Sequence, residues 1–226
     1  MRPRPENPLI VALDVSDAER AARLSSTLAP HVGMLKIGLE LFTAVGPEGV
    51  GSVREFGPVF LDLKLHDIPN TVERASANVA RLGVRMFNVH ALGGEGMMRA
   101  AVEGAHRGAD AVGVAMPLVL GVTVLSSLAE GLTSPATLAF EAKAAGLDGV
   151  VVSGSDVRDV RDACGDDFVL VVPGIRPEGS NGDDQVRVLT PGEAIERGAD
   201  YLVVGRPVTD APDPVGVARG IVRGVR

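Results

Sequence analysis

Short, continuous apolar runs recur along the chain, each closed by a polar residue and followed by a stretch with helical spacing. Residues 8–14 (PLIVALD) form the first and end in the carboxylate of Asp14. An unbroken apolar run of this kind is the pattern of a strand covered on both faces, as in a parallel sheet. Ser16 and Glu19 then have capping-box spacing, and an alanine-rich helix is predicted to run to about Ala29. Residues 33–38 (GMLKIG) repeat the arrangement with Lys36 as the lone charge, and the next helix is predicted to begin near Glu40. Residues 58–65 make the third strand; the helix after it is predicted from Pro69 to about Leu82, because proline is tolerated in a first helical turn. The fourth strand, residues 84–90 (VRMFNVH), puts Asn88 and His90 on one face, with Gly93 and Gly94 opening the following helix. A fifth lies within residues 111–125 and ends around Thr123. Residues 148–153, 168–172 and 200–205 supply the sixth to eighth, with a helix over residues 135–145.

Strand–helix units repeated in this way, with no break in composition and no linker, predict an α/β protein: a single-domain (β/α)8 TIM barrel over residues 1–226, residues 1–7 being a loose lead-in. A doubly wound open sheet is the alternative. The barrel is preferred because polar residues recur at the C-terminal ends of the strands, the rim on which such barrels assemble their sites. Asp14, Lys36, Asp62, Lys64, Thr123, Arg176 and Arg206 would converge there.

Composition narrows the function. With 46% hydrophobic residues, 3% aromatics and 28 glycines, the core is expected to be aliphatic and the turns tight. A formal net charge of −7 argues against a broad nucleic-acid-binding face, so an anionic small substrate would need basic residues gathered locally. Cys164 is the single cysteine, which rules out an intrachain disulfide and points to a reducing cytoplasm. The four histidines show no zinc-ligand spacing, and no metal or cofactor is expected. The opening MRPRPENP is basic but lacks the apolar stretch of a secretory signal. Residues 111–129 carry no charge, yet Gly113, Pro117, Gly121, Thr123, Ser126 and Ser127 interrupt them, which suits a strand and loop and not a membrane span.

The most telling stretch is residues 59–72, VFLDLKLHDIPNTV. Strand alternation turns Leu61, Leu63 and Leu65 one way and Phe60, Asp62, Lys64 and His66 the other. Asp62 and Lys64 then share a face, their Cα atoms roughly 6.6 Å apart along the strand. Burying either charge unpaired costs several kcal/mol, so the two stabilise each other or hold something between them. With Lys36 and Asp67 they make a constellation of alternating sign. Opposite charges about 4 Å apart at an effective dielectric near 20 attract by roughly 4 kcal/mol before desolvation, enough to keep both lysines protonated. A protonated lysine beside fixed carboxylates can hand a proton to a carbanion, while the carboxylates repel a negative substituent on the substrate. These are the requirements of a cofactor-free decarboxylation.

Pro173-Gly174-Ile175-Arg176 and Gly205-Arg206 follow the seventh and eighth strands, where such barrels often hold phosphate. Glycine lets backbone N–H groups approach an anion, and arginine donates in a fork matched to phosphate oxygens. Between them residues 178–185 form a loop rich in Gly, Ser, Asn and Asp, from which Gln185 could close over the phosphate.

These segments resemble the orotidine 5′-phosphate decarboxylase family of the bacterial type. The likeness covers nearly the whole chain: LIVALDV, MLKIGLELF, FLDLKLHDIPNTV, VHA, VTVL, VVPGIRPEG, DQVRVLTP and VVGRPVT. DxKxxDIPNT combined with PGIRP and VGRP is highly specific, whereas DxKxxD also occurs in related barrels acting on sugar phosphates. The resemblance implies that Asp14 and Lys36 hold the substrate's ribose hydroxyls, Lys36 also joining the charged network. Asp62 would lie against the departing carboxylate and Lys64 would protonate C6 of the pyrimidine. Asp67, Ile68 and Thr71 would meet substrate, Asp67 and Thr71 by reaching into the partner subunit's site of a homodimer. Thr123 would meet the pyrimidine region, Arg176, Gln185, Gly205 and Arg206 would grip the phosphate, and Pro173 would also meet substrate. Ser126 and Ser153-Gly154 depart from the family pattern without touching these positions. A metal-assisted sugar-phosphate decarboxylase or aldolase, and a non-catalytic barrel binding a phospho-ligand, are the rival readings.

Overall fold

In the computed structural model, which describes residues 5–124, 133–176 and 189–225, the apolar runs become eight parallel strands. These are β1 (Leu9–Ala12), β2 (Met34–Ile37), β3 (Val59–Leu65), β4 (Met86–His90), β5 (Leu118–Val122), β6 (Gly149–Val151), β7 (Val169–Val172) and β8 (Tyr201–Val204). Each pairs with its sequence neighbours, and β8 pairs back onto β1 with Val11 opposite Val204, which closes the barrel. An open sheet is thereby excluded, since it would leave two edges unpaired. Parallel neighbours need a crossover on the outside. The helices in those seven crossovers are α1 (Ala18–Leu28), α2 (Leu39–Arg54), α3 (Pro69–Arg81), α4 (Gly94–Val112), α5 (Pro135–Ala144), α6 (Val157–Cys164) and α7 (Pro191–Glu196), and α8 (Arg206–Thr209) and α9 (Pro214–Arg223) follow β8. No helix among the described residues is long and apolar enough to cross a membrane.

The alternation of each strand sorts its residues into two cores. Leu9, Val11, Leu35, Leu61 and Phe87 point outward and are buried beneath the helices. Ile10, Met34, Phe60, Met86, Val169 and Tyr201 fill the barrel interior. Two residues further along three of these strands, the interior series turns polar, from Met34 to Lys36, Phe60 to Asp62 and Met86 to Asn88, all three polar residues being buried. The apolar plug thus becomes the floor of a polar mouth.

Local details differ from expectation in two places. The capping box predicted from Ser16 and Glu19 is not formed: Asp17 caps α1, its carboxylate accepting from the Glu19 and Arg20 amides at 3.0 and 3.1 Å. Ser16 instead donates its hydroxyl to Glu40 at 2.7 Å. The aspartate carries two oxygens for two free amides, which leaves the serine available to tie α1's entry to α2. Secondly, β3 is not a regular strand. Its outward leucines pack as predicted, but Lys64 has φ +52, the left-handed region that costs an L-residue about 1–2 kcal/mol. The β3–β4 register runs from Leu61 opposite Phe87 to Leu65 opposite Val89, so Asp62, Leu63 and Lys64 stand opposite Asn88 alone.

Helices α3 and α4 approach closely enough to exclude side chains. A Cβ on Gly104 would fall 2.0 Å from the Glu73 carbonyl oxygen, and one on Gly108 2.2 Å from that of Ala77. Arg107 and Glu73 form an ion pair across the same seam. Gly108→Ala is expected to destabilise the protein by about 1–3 kcal/mol through forced separation of the helices. Gly220→Ala, with open space around its α9 position, is expected to stabilise by up to about 1 kcal/mol. Denaturant midpoints for the two variants check this, and equal shifts would contradict the close approach.

Candidate active site

The polar mouth is built from the ends of the first four strands. Lys36 on β2 reaches Asp14, just beyond β1, at 3.2 Å and Asp62 on β3 at 3.3 Å. Lys64 reaches the other oxygen of Asp62 at 2.6 Å. Asn88 on β4 donates its amide to that same oxygen at 2.7 Å. The result is an unbroken row, Asp14–Lys36–Asp62–Lys64, of alternating sign and zero formal charge. Its middle is buried, with the Lys36 and Asp62 side chains only 10% and 12% exposed, while the ends open outward at 30% for Lys64 and 51% for Asp14. A ligand can therefore touch the ends of the row without dismantling it.

Burial alone pushes the Asp62 carboxyl upward, but the charges of Lys36 and Lys64 and the hydrogen bonds from Lys64 and Asn88 outweigh it and hold the carboxyl below its ordinary pKa. The His90 and His66 rings lie 5.2 Å apart, tilted by 38°. The His90 pKa is lowered by burial first and then by His66 and Lys64, so its ring is neutral near pH 7.

A cleft of about 270 Å³ lies over this row. Asp14, Lys36 and Asp62 line it together with Pro173, Arg176, Gly205 and Arg206, and Gly205 stands next to Asp14, a Cβ there falling 3.5 Å from its carboxylate. Gly174 adopts φ +75, a turn conformation that suits glycine, and Arg176 donates its amide to the Leu189 carbonyl at 3.1 Å. Thr123 is buried at the end of β5, its hydroxyl donating to the Val151 carbonyl at 3.1 Å; Val151 lines the cleft. Asp67 and Ile68 are exposed on the turn leading into α3, and Thr71 is exposed in its first turn. Asp67 does not belong to the row within one chain: its carboxylate accepts from the adjacent Ile68 amide at 2.6 Å. Asp14 takes the fourth place expected for it. Gln185, its loop over residues 178–185, and Ser126 lie outside the described residues.

Two contributors were not singled out as site residues from sequence. Asn88 is fully buried and bonds both Asp62 and Lys64; the signal was a polar residue on the inward face of an apolar strand. Gly38 leaves room for the Lys36–Asp14 pair, since a Cβ there would stand 3.0 Å from the Lys36 ammonium. Among the described residues, no group of three or more His, Cys, Asp or Glu side chains is arranged to hold a metal ion.

Residues 7–221 match the model of the orotidine 5′-phosphate decarboxylase / HUMPS family. A protein of Moorella thermoacetica named orotidine 5′-phosphate decarboxylase is 48% identical over 234 residues, covering 98% of this chain and 93% of its own. One of the same name from Syntrophotalea carbinolica is 50% identical over 226 residues, covering 95% of this chain and 93% of its own. The crystal structure of orotidine 5′-phosphate decarboxylase from Lactobacillus acidophilus superposes with a TM-score of 0.85 at 37% identity, covering 97% of this chain and 99% of that one.

The depressed Asp62 pKa carries a stability prediction. Because the folded carboxyl titrates below its unfolded value, its contribution is present above the ordinary value of 3.8 and is lost as pH falls from there through the folded pKa. Asp62→Asn should therefore flatten the fall in unfolding free energy over that acid window. Denaturant titrations at stepped pH measure it, and an unchanged slope would contradict the ionised, doubly paired carboxylate.

Proposed function

The chain belongs to the orotidine 5′-phosphate decarboxylase / HUMPS family, and from that premise we propose how its charged row performs the reaction. The reaction is decarboxylation of orotidine 5′-monophosphate to uridine 5′-monophosphate and carbon dioxide, the last step of de novo pyrimidine nucleotide synthesis. The single observation that carries the mechanism is the 2.6 Å contact between the Lys64 ammonium and the Asp62 carboxylate, a carboxylate that lines the same cleft as Arg176 and Arg206.

The nucleotide lies along the cleft. Arg176 and Arg206 grip its phosphate with Pro173, Gly205 and Gln185, Asp14 and Lys36 bond the ribose hydroxyls, and Thr123 faces the pyrimidine. The substrate carboxylate then stands against Asp62, whose charge is locked in place by two lysines and cannot swing away. That repulsion is relieved as the C6–carboxylate bond breaks, carbon dioxide leaves, and the electron pair stays on C6. Lys64 both stabilises this pair and gives C6 its proton, regaining one from solvent afterwards. No cofactor is needed. A vinylic carbanion has no electron sink, so the fixed charges must supply much of the roughly 8–23 kcal/mol by which enzymes lower barriers, helped by binding energy from the remote phosphate.

A homodimer completes the site. The row of four has zero net charge, and the exposed Asp67, Ile68 and Thr71 are free to reach a neighbouring subunit. The partner subunit's Asp67 would give the carboxylate's surroundings a net negative charge. The barrel acts as one domain, and the single cysteine suits a reducing cytoplasm.

Loss of the ultraviolet absorbance of orotidine 5′-monophosphate, followed with purified protein in the presence of chelator, tests the reaction; folded protein that gives no conversion would overturn it. Lys64→Ala is expected to abolish turnover while uridine 5′-monophosphate still binds, and Arg206→Ala to act chiefly on KM. Near-normal kcat in the lysine variant would remove Lys64 from the proton-donor role. Mixing inactive Lys64→Ala and Asp67→Ala chains should restore activity at about a quarter of the sites if sites are shared across a two-fold dimer. No rescue, with subunit exchange verified, would place each site within one chain.

A further inference from the structure

Resting on the reading of Lys64 as the proton donor, we propose that Asn88 is a positioning residue that sets the backbone and the charge partner of that lysine together.

On β4, Asn88 is the residue opposite the irregular part of β3. Asp62, Leu63 and Lys64 face Asn88 alone across the β3–β4 ladder, so the regular exchange of backbone hydrogen bonds is interrupted there. The Asn88 side chain occupies the gap. Its Oδ1 accepts from the Lys64 amide at 2.8 Å, and its Nδ2 donates to Asp62 Oδ1 at 2.7 Å. The amide orientation is dictated chemically, because a backbone N–H needs an acceptor and a carboxylate needs a donor. Asn88 is fully buried, so neither bond has water to replace it cheaply.

Both bonds bear on the reacting atoms. Lys64 sits at φ +52, a conformation that persists only where its surroundings over-determine it. In an ordinary extended conformation its amide and side chain would turn toward other neighbours. The second bond ends on the same Asp62 oxygen that receives the Lys64 ammonium at 2.6 Å. Asn88 therefore fixes the origin of the lysine side chain and the point to which its charged end is drawn. Misplacement of a reacting group by about 1 Å can cost on the order of 100-fold in rate.

The test uses Asn88→Ala and Asn88→Asp in the full-length protein. Asn88→Asp preserves shape and the bond to the Lys64 amide but turns the donor into an acceptor beside Asp62. The other charged or titratable groups near this pair are Lys64 and His66 on the β3 side, Lys36 on β2, Asp14 after β1 and His90 on β4. Both variants are expected to lower kcat on the order of 100-fold while the affinity for uridine 5′-monophosphate stays within about threefold of wild type, because the phosphate and ribose contacts lie elsewhere. The Lys64 amide should exchange faster with deuterium in Asn88→Ala and remain protected in Asn88→Asp. The kcat deficit of Asn88→Asp should narrow as pH falls, since two facing carboxylates share a proton and so recover a donor. A kcat within threefold of wild type, a parallel loss of nucleotide affinity, or a deficit independent of pH would overturn the positioning role. Wild-type protein lacking turnover would instead overturn the decarboxylase reading, and the Lys64 amide exchange would still decide whether Asn88 holds that residue.

Discussion

Asp62 is a carboxylate that the barrel can bury only because two ammonium groups and an amide reach it. Removing an ionised carboxylate from water costs several kcal/mol unless attraction and hydrogen bonds replace hydration. Here Lys36 and Lys64 bond opposite oxygens, and Asn88 supplies a further donor. The consequence is rigidity, since each lysine is held by a group that cannot itself move. A charge that must oppose a substrate's charge is useful only if it cannot relax, and this carboxylate is tied through both of its oxygens.

The same requirement explains the irregularity of β3. A regular pleat would carry β3 past β4 with an unbroken ladder. The register shift instead leaves residues 62–64 opposite Asn88, and the strained Lys64 backbone is retained at the point where the charges meet. Strain of about 1–3 kcal/mol survives only where neighbouring structure enforces it. The Lys64 amide bonds the Asn88 side chain at 2.8 Å, directly above the apolar plug that includes Phe60, Met86 and Met34.

The mouth has a gradient of access as well as of charge. Its buried centre is ionic and satisfied, while its ends, Lys64 and Asp14, are the more exposed members, Asp14 lining the cleft. The basic groups of the cleft come from segments following β7 and β8, while Asp62 is held by groups on β2, β3 and β4. Binding and charge relocation are thus carried by different parts of the rim. A closed parallel barrel permits this division because all its strands end on one side.

Much of this architecture is legible in the order of residues alone. Continuous apolar runs closed by Asp14, Lys36, Asp62 and Arg206 predict strands, their direction and a polar rim, because burial on both faces and a two-residue side-chain repeat are local properties. The capping of α1 was less legible, since Ser16, Asp17 and Glu19 offer competing local bonds and the choice depends on where Glu40 lies. Pairing within β3 was legible, since alternation puts Asp62 and Lys64 on one face, but the hydrogen-bond partner from the neighbouring strand was not. Asn88 is 26 residues from Asp62, and only closure of β3 against β4 shows that its amide completes the carboxylate. Likewise Asp14, not Asp67, ends the row within one chain, because strand order brings β1 beside β2 while the turn before α3 carries Asp67 outward. Residue type and spacing determined which chemistry was possible, whereas tertiary structure decided which charges touch, because electrostatic contact depends on distances between strands that sequence separation does not encode.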